Sequence, residues 1–367
     1  MVSLLFKHLK SRIQTEGPLG LDSYMAEALG HPEHGYYRKV DPFGRAGDFV
    51  TAPEISQMFG ELLGLWSVVC WRQLGAPTSL NLIELGPGRG TLMADGMRAV
   101  RNLVTFFDSL HVHLVETSPL LRKRQQATLA AVDRPVHWHD QIAQVPDGPF
   151  VLLANEFLDA LPIRQFASSD GGWRERLIDL TTAGDALKWT SSASFATDEL
   201  TVLPALESAS ENQIYEVCPA AHVIIGEISR MIMTQKGVAL FIDYGYAAQT
   251  GGDTFQAVKD HQYADPLVHP GDADLTAHVD FEAIARLADH AGVRVSGPVT
   301  QSKFLRNLGI GPRADSLKES ASTAQKRDIE SALERLTGED TMGRLFKVIA
   351  LSHPDLPEPE GFWSNEK

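Results

Sequence analysis

The chain has 367 residues, of which 43% are hydrophobic and 22% charged, enough for a full hydrophobic core and an additional lobe. Its 47 acidic and 33 basic residues give a net charge of -14, which argues against a nucleic-acid substrate and favours a basic or neutral partner. No apolar run approaches the ~18 residues of a membrane-spanning helix, so membrane insertion is not expected.

The first 75 residues are predicted to form a mostly helical N-terminal segment (residues 1–75). Its basic start superficially resembles a transit peptide, but the apolar residues Leu4, Leu5, Leu9 and Ile13 fall on one helical face. We therefore interpret this stretch as the first helix of the fold.

A longer helix is expected from Ile55 to Trp71, where apolar residues recur at helical spacing. The residues before it, Thr51 to Glu54, read TAPE and have the form of a capping box with proline in the first turn. Asp48 and Thr51 are also candidates to close over a ligand, although the capping role alone would explain Thr51.

A buried strand is predicted from Leu80 to Leu85, and the surrounding sequence Asn81–Gly90 reads NLIELGPGRG. A glycine-rich turn that opens a helix, here Leu92–Phe107, lets backbone N–H groups approach a nucleotide-like cofactor. The dinucleotide fingerprint G-x-G-x-x-G is not met because the third glycine comes one residue early. The order acid-x-G-x-G-x-G is typical of class I methyltransferases, which bind S-adenosylmethionine, whereas a tight strand-to-helix loop is the purely structural alternative. The predicted cofactor-binding residues of the turn are Glu84, Gly86, Gly88 and Gly90.

The next two strands also end in polar residues. Strand two, Val112–Val115, ends at Glu116, where doubly wound folds place an acid that bonds the ribose hydroxyls. Glu116 is therefore a predicted cofactor ligand, unless it only caps the following helix. Strand three, Val136–His139, supplies Trp138 as a stacking face for adenine and Asp140 as an acceptor for its amino group.

Strand four, Phe150–Ala154, is followed by Asn155 and Glu156. Ligands of doubly wound sheets gather outside the carboxyl ends of the strands, so both residues are candidates for the site. Glu156 could otherwise be a solvated acid at a strand end, and Asp159 could equally cap the next turn.

Beyond strand four the pattern changes to short alternating pieces with glycine turns, which predicts a β-hairpin insertion within a β-rich segment, residues 164–214. Residues 76–163 and 215–367 are expected to form an α/β core with a doubly wound, seven-stranded sheet. Asp280 is the predicted N-cap of a helix in its second half. The remaining elements of that half are the helices Ala220–Gln235 and Phe281–His290, further helices around residues 313–337, and the strands Val238–Asp243, Val293–Val299 and Phe346–Ser352.

The segment His261–Asp280 contains enough histidines and aspartates to raise the question of a metal. No spacing in it repeats a ligand motif, so no metal site is predicted. A substrate-facing loop with an acidic mouth is the alternative that we favour, because long irregular loops are commonly binding elements. Its candidate substrate-binding residues are Gln256, His261 and Asp274.

Several further segments resemble one family closely. They read GDFVTAPEISQMFGE, ANEFLDALP, IDYGY, GDTFQAVKDH and DLTAHVDF and, with ELGPGRGTL and VETSP, they span roughly residues 15–350. The set is similar to the MidA / mitochondrial complex I assembly factor family of class I S-adenosylmethionine-dependent methyltransferases. The resemblance implies dimethylation of an arginine on a subunit of respiratory complex I, and an antiparallel last strand in the sheet.

The chemistry of an arginine acceptor selects the catalytic candidates. A guanidinium stays protonated, with a pKa above ~12, so its site needs carboxylates that hold it and polarise one nitrogen. Glu156 is the first candidate, with Asn155 and Asp159 beside it. A methyltransferase acting on a small molecule and a non-catalytic assembly chaperone that binds S-adenosylmethionine remain alternatives.

The expected compartment is a reducing one. The two cysteines, Cys70 and Cys218, show no metal-ligand spacing and are predicted to stay reduced. With the family resemblance, this indicates the cytoplasm of a bacterium or, in a eukaryote, the mitochondrial matrix. The sequence leaves the oligomeric state and the acceptor open.

Overall fold

The computed structural model describes residues 3–39, 51–169, 172–195, 210–248 and 251–363. The helices, in chain order, are α1 Leu4–Glu16, α2 Leu21–Gly30, α3 Tyr36–Lys39, α4 Ala52–Ile55, α5 Gln57–Gln73, α6 Thr91–Val100, α7 Val104–Ser109, α8 Pro119–Thr128, α9 Pro219–Gln235, α10 Phe281–His290, α11 Gln301–Asn307, α12 Ile310–Glu319, α13 Thr323–Thr337 and α14 Met342–Leu345. The strands are β1 Leu19–Gly20, β2 Leu80–Leu85, β3 Leu110–Val115, β4 Val136–His139, β5 Phe150–Asn155, β6 Arg164–Ser169, β7 Gly172–Leu180, β8 Leu187–Ser191, β9 Ile214–Val217, β10 Gly237–Tyr246, β11 Gln256–Lys259, β12 Gln262–Ala264, β13 Asp274–Thr276, β14 Val279–Asp280, β15 Arg294–Thr300 and β16 Phe346–Ser352. Over these ranges, no helix is both long and apolar enough to span a bilayer.

The central sheet has the order β15-β16-β10-β5-β2-β3-β4. Its seven strands are those predicted from the sequence, and the short β14 adds an eighth strand beside the end of β10. Neighbouring strands from β10 to β4 run parallel, whereas β16 runs antiparallel to both β10 and β15. The expected doubly wound α/β fold and its antiparallel last strand are therefore confirmed.

Helices cover both faces of this sheet, which explains why its central strands read as continuous apolar runs. All six residues of β2 are buried. Because side chains alternate between faces, Leu82 packs with α5 and α6 on one side, whereas Ile83 packs with α9 and α10 on the other. Because β2, β3, β5 and β10 run parallel, their carboxyl ends lie together at one edge of the sheet.

The insertion after β5 is larger than the predicted hairpin. Strands β6 to β9 form a second sheet of order β1-β7-β6-β9, with β8 on β7 and the N-terminal β1 at its edge. This sheet extends past the predicted boundary at residue 214 to Val217. It shares a core with α1 and α2, in which Leu5, Leu9 and Ile13 are buried but Leu4 is 60% exposed.

Other differences from the sequence predictions have local causes. The helix expected from Ile55 breaks at Ser56, whose backbone is extended and whose hydroxyl accepts from the Met58 N–H at the start of α5. The predicted helix over residues 92–107 is two helices, α6 and α7, separated by exposed residues 101–103. The segment after residue 252 is not an irregular loop, because β11, β12 and β13 form a small antiparallel sheet there.

Helices α5 and α6 approach closely at glycines, which yields the first prediction. A Cβ at Gly64 would lie 2.6 Å from the Gly96 carbonyl oxygen, whereas one at Gly226 of α9 would meet nothing within 4 Å. We expect Gly64→Ala to lower the free energy of unfolding by about 1–3 kcal/mol through overpacking. Gly226→Ala should raise it by up to about 1 kcal/mol through helix propensity. Urea denaturation of the two variants checks the contrast, and equal effects would contradict the close packing.

Candidate active site at the carboxyl edge of the sheet

The turn after β2 uses its glycines in conformations that other residues rarely adopt. Gly86, Gly88 and Gly90 have φ values of 60°, 51° and 81°. A Cβ at Gly86 would lie 2.8 Å from the Phe157 ring, so the backbone there is closely covered. Gly90 begins α6 without a side-chain cap, which leaves the first N–H groups of that helix for a ligand.

Two cavities flank this turn, and Gly86, Gly88 and Glu156 line both. The larger cavity, of about 290 Å³, lies toward β3. The small cavity, of about 30 Å³, lies toward β5. The larger cavity is also lined by Met25, Ala26, Leu29, Gly30, Tyr37, Arg38, Glu116, Thr117, Ser118, Leu121, Phe157, Ala160, Leu161 and Pro162. The small cavity is also lined by Thr51, Pro53, Glu54, Glu84, Pro87, Arg89, Thr91, Leu92 and Asn155.

Glu84 is an uncompensated acid in the small cavity. Its side chain is 3% exposed, and burial raises its pKa to about 8. In the described part of the chain, its buried Oε2 has no hydrogen-bond partner. A buried acceptor without a donor is costly, so this position favours a ligand that brings an N–H donor or a positive charge.

Glu116 lies at the predicted place after β3 and faces the larger cavity. Its Oε1 accepts from the Ser118 N–H at 2.6 Å, and its Oε2 from the Gln125 side chain at 3.2 Å. Burial raises the pKa of Glu116, and the Ser118 N–H partly offsets that rise. Gln125 also donates to the Gly88 carbonyl at 2.8 Å, so one amide side chain joins the glycine turn to this acid.

Glu156 connects the end of β5 to the N-terminal segment. Its Oε1 accepts from the Ala52 N–H at 2.9 Å, where α4 begins, and from the Asn155 side chain at 3.0 Å. Its backbone has a φ of 51°, in the left-handed region. Burial raises the pKa of Glu156 to about 7, which the Ala52 N–H counteracts and Asp159 reinforces. The buried Oδ1 of Asn155 has no partner among the described residues.

Asp243, in the second half of β10, holds the loop that follows Glu156. Its Oδ2 accepts from three consecutive N–H groups, those of Phe157, Leu158 and Asp159, at 2.9–3.3 Å. Asp159 is 7% exposed, and burial raises its pKa to about 6. The sequence analysis did not select Asp243, although an acid within a fully apolar strand is a signal that could have identified it.

Trp138, within β4, and Asp140, which directly follows it, do not line the larger cavity. The Trp138 indole donates to Gln125 at 2.9 Å and packs against the core. The Asp140 carboxylate pairs with Arg122 at 2.7 Å and is 65% exposed. Both therefore adjoin side chains next to Glu116, because Arg122 also donates to the Glu116 carbonyl at 2.7 Å.

The structure does not bring together the three predicted substrate residues. Gln256 donates to Thr276 within the small sheet, and His261 is exposed in the β11–β12 turn. Asp274 is buried and accepts from the Tyr37 hydroxyl at 2.9 Å. None of the three lines the two described cavities.

Glu54 and Tyr37 are among the wall residues that the sequence analysis did not select as site residues. The predicted capping box is wrong: Thr51 makes no side-chain cap bond, and Glu54 instead accepts from the Thr91 hydroxyl at 2.5 Å across the small cavity. The capping role was predicted from residue spacing alone, and spacing gives no information about the bond between Glu54 and Thr91. Asp48 lies outside the described residues.

One group of possible metal ligands occurs in the described ranges, away from His261–Asp280: His8, Glu27 and His31. Arg12 already donates to Glu27 at 3.0 Å. These residues line neither cavity of the candidate site.

The burial of Glu84 predicts a pH dependence of stability. Its folded pKa of about 8 lies above the ordinary value, so its contribution to stability is complete below about pH 4.5 and is lost as the pH rises toward 8. In the ligand-free protein, we expect the free energy of unfolding of Glu84→Gln, relative to that of the parent, to be roughly 3–5 kcal/mol higher at pH 8 than at pH 4.5. Urea denaturation across that range measures the difference. Identical pH profiles for parent and variant would contradict it.

The fold and the site together define a class I S-adenosylmethionine-dependent methyltransferase. A family model described as "Putative S-adenosyl-L-methionine-dependent methyltransferase" matches residues 62–299. The chain is 39% identical to the mitochondrial protein arginine methyltransferase NDUFAF7 of Xenopus laevis, over 95% of this chain and 84% of the relative. It is 36% identical to the human protein of that name, over 95% and 83%.

A solved structure agrees with these relatives. It is described as a "likely methyl transferase" from Burkholderia thailandensis bound to S-adenosyl-homocysteine, is 30% identical, and matches with a TM-score of 0.82 over 98% of this chain and 92% of that one. The chain belongs to this family of S-adenosylmethionine-dependent methyltransferases. The family resemblance, the enzyme class and the cofactor predicted from the sequence are therefore confirmed.

Proposed function

We propose that the protein methylates an arginine of an acceptor protein at the edge where β2, β5 and β10 end. The observation that carries this proposal is a concentration of buried acceptors without donors. Glu84 Oε2 and Asn155 Oδ1 are both buried and, among the described residues, without a hydrogen-bond partner, and both residues line the small cavity. The carboxyl groups of Glu156 and Asp243 lie with them, with pKa values raised by burial. The amino group of the cofactor and a guanidinium both offer donors and no acceptor, so the two together complement such a site.

The residues present fit the cofactor. The adenosine part is proposed to lie in the larger cavity, where Glu116 would accept from the ribose hydroxyls. The methionine part is proposed to lie beside the small cavity, where Glu84 would take the amino group. The uncapped N–H groups of α6 and the nearby Arg89 would face its carboxylate. Gly86 and Gly88 line both cavities and have positive φ values, so their backbone can lie directly against a ligand.

The bound cofactor supplies an electrophilic methyl group on a sulfonium. The protein's task is then to hold one guanidinium nitrogen in line with that group and to manage its proton. Glu156 is proposed to pair with the guanidinium and to accept the proton that the nitrogen loses as its bond to the methyl carbon forms and the carbon–sulfur bond breaks, with the electron pair of that bond remaining on sulfur. Its pKa of about 7 suits that role near neutral pH. Asp243 and Asn155 hold Glu156 in place through the backbone and side-chain bonds described above.

The acceptor class rests on the relatives of the chain, which are named protein arginine methyltransferases. The family resemblance extends this to dimethylation of a respiratory complex I subunit during assembly. The same relatives are named mitochondrial. We propose the matrix as the compartment if the host is eukaryotic and the cytoplasm if it is bacterial.

The test is incubation of the purified protein with methyl-labelled S-adenosylmethionine and a lysate of cells that lack it. We expect label on arginine of a protein band, identified by mass spectrometry, and none with the Glu156→Gln variant. Label only in small molecules would contradict a protein acceptor. Tight cofactor binding without any labelled product would instead indicate a non-catalytic assembly role.

A further inference from the structure

Tyr37 joins the N-terminal segment to the far side of the larger cavity. The residue lies in α3 and lines that cavity. Its hydroxyl donates to Asp274 Oδ1 at 2.9 Å, at the start of β13. The two residues are 237 positions apart in the chain, so the contact is a product of the tertiary fold.

The backbone of Tyr37 is tied to the proposed ribose site as well. The Ser118 hydroxyl donates to the Tyr37 carbonyl at 2.7 Å. The N–H of Ser118 in turn donates to Glu116 at 2.6 Å. Tyr37 thus lies between a buried aspartate on one side and the turn that carries Glu116 on the other.

The Tyr37–Asp274 bond is partly buried. Asp274 is 6% exposed. Burial, with Asp274 and Asp159 nearby, raises the pKa of the Tyr37 hydroxyl well above its usual range. The phenol therefore keeps its proton and remains a donor to Asp274.

The larger cavity lies between two sets of residues, and Tyr37 belongs to one of them. Met25, Leu29 and Tyr37 line it from α2 and α3, and Gly88 and Glu116 line it from the sheet. A ligand in the cavity lies between these two sets of residues. The bond between Ser118 and the Tyr37 carbonyl joins the two walls, and the Tyr37–Asp274 bond holds the wall formed by α3 against β13.

We propose that Tyr37 is a positioning residue that closes the cofactor cavity, and that its bond to Asp274 sets how slowly adenosine-containing ligands leave. The inference rests on the proposed placement of the adenosine part in the larger cavity. It also gives Asp274 a role different from the substrate contact expected from the sequence.

The experiment measures the dissociation rate of labelled S-adenosyl-homocysteine from the full-length protein, by chase with unlabelled ligand. Tyr37→Phe removes only the hydroxyl, and Asp274→Ala removes its partner. Both should release the ligand at least about tenfold faster, equivalent to about 1.4 kcal/mol. Asp274→Asn keeps an acceptor oxygen and should stay within about threefold of the parent.

A matched control is Tyr24→Phe. Tyr24 is also a buried tyrosine, and its hydroxyl donates to the Pro266 carbonyl, but it does not line the cavity. Its variant should leave the release rate unchanged within about threefold. An unchanged rate in folded Tyr37→Phe, or equal acceleration by Tyr24→Phe, would overturn the inference. Unaltered binding in Gly88→Val would instead overturn the proposed cofactor site, which separates the two failures.

Discussion

Replacing Glu116 with alanine is expected to weaken binding of S-adenosyl-homocysteine by about 10- to 100-fold. A hydrogen bond to a charged acceptor contributes roughly 1.5–3 kcal/mol, and each 1.4 kcal/mol is a factor of ten in affinity. Glu116 is 9% exposed and faces the larger cavity, so water could replace the lost acceptor only in part. Isothermal calorimetry on the folded variant measures the loss.

Fragments and a neighbouring acid provide the controls for Glu116. Binding of adenosine should suffer, whereas binding of methionine should be spared. Asp140→Ala removes an acid from the adjacent strand end, but that carboxylate is 65% exposed and already paired with Arg122. Its effect should stay within a few-fold. Equal losses for adenosine and methionine would argue against a ribose contact, and a large loss in Asp140→Ala would restore the predicted adenine contact.

The central strands were predictable because they are buried on both faces. β2, β5 and β10 are buried, largely apolar runs with a polar residue toward the carboxyl end, so the local sequence indicates where they lie. The insertion was less predictable. Its sheet recruits β1 from more than 150 positions earlier in the chain, and no local periodicity reports such a pairing.

The candidate site also contains residues that the sequence could predict and contacts that it could not. Glu84 could be selected because it lies near the carboxyl end of β2, and Glu116 and Glu156 because they directly follow β3 and β5, in a sheet whose carboxyl ends hold ligands. Their partners could not be selected. Glu156 takes the Ala52 N–H across 104 positions, and Tyr37 reaches Asp274 across 237. Short-range patterns assign Thr51 and Glu54 a capping role, whereas the fold uses Glu54 to reach the glycine turn.

Glu156→Gln is expected to lower the rate of methyl transfer by about 10² to 10³ while cofactor affinity stays within a few-fold. The amide oxygen of glutamine can still accept from Ala52 and Asn155, so α4 should keep its place. What is lost is the negative charge beside the guanidinium, comparable to one preorganised contact in the transition state. Single-turnover transfer to the acceptor protein, with a cofactor titration on the same preparation, measures both quantities.

The pH dependence of kcat/KM and a control substitution at Glu216 provide two further tests of the role of Glu156. Because the pKa of Glu156 is raised to about 7, kcat/KM of the parent should rise with pH through that value, and the glutamine variant should lack this limb. Glu216→Gln makes the same chemical change at a buried glutamate that accepts from Thr254 and lines neither cavity of the site. Its transfer rate should stay within a few-fold of the parent. Near-normal transfer in Glu156→Gln would refute the catalytic role, and lost cofactor binding would place Glu156 in the nucleotide pocket instead.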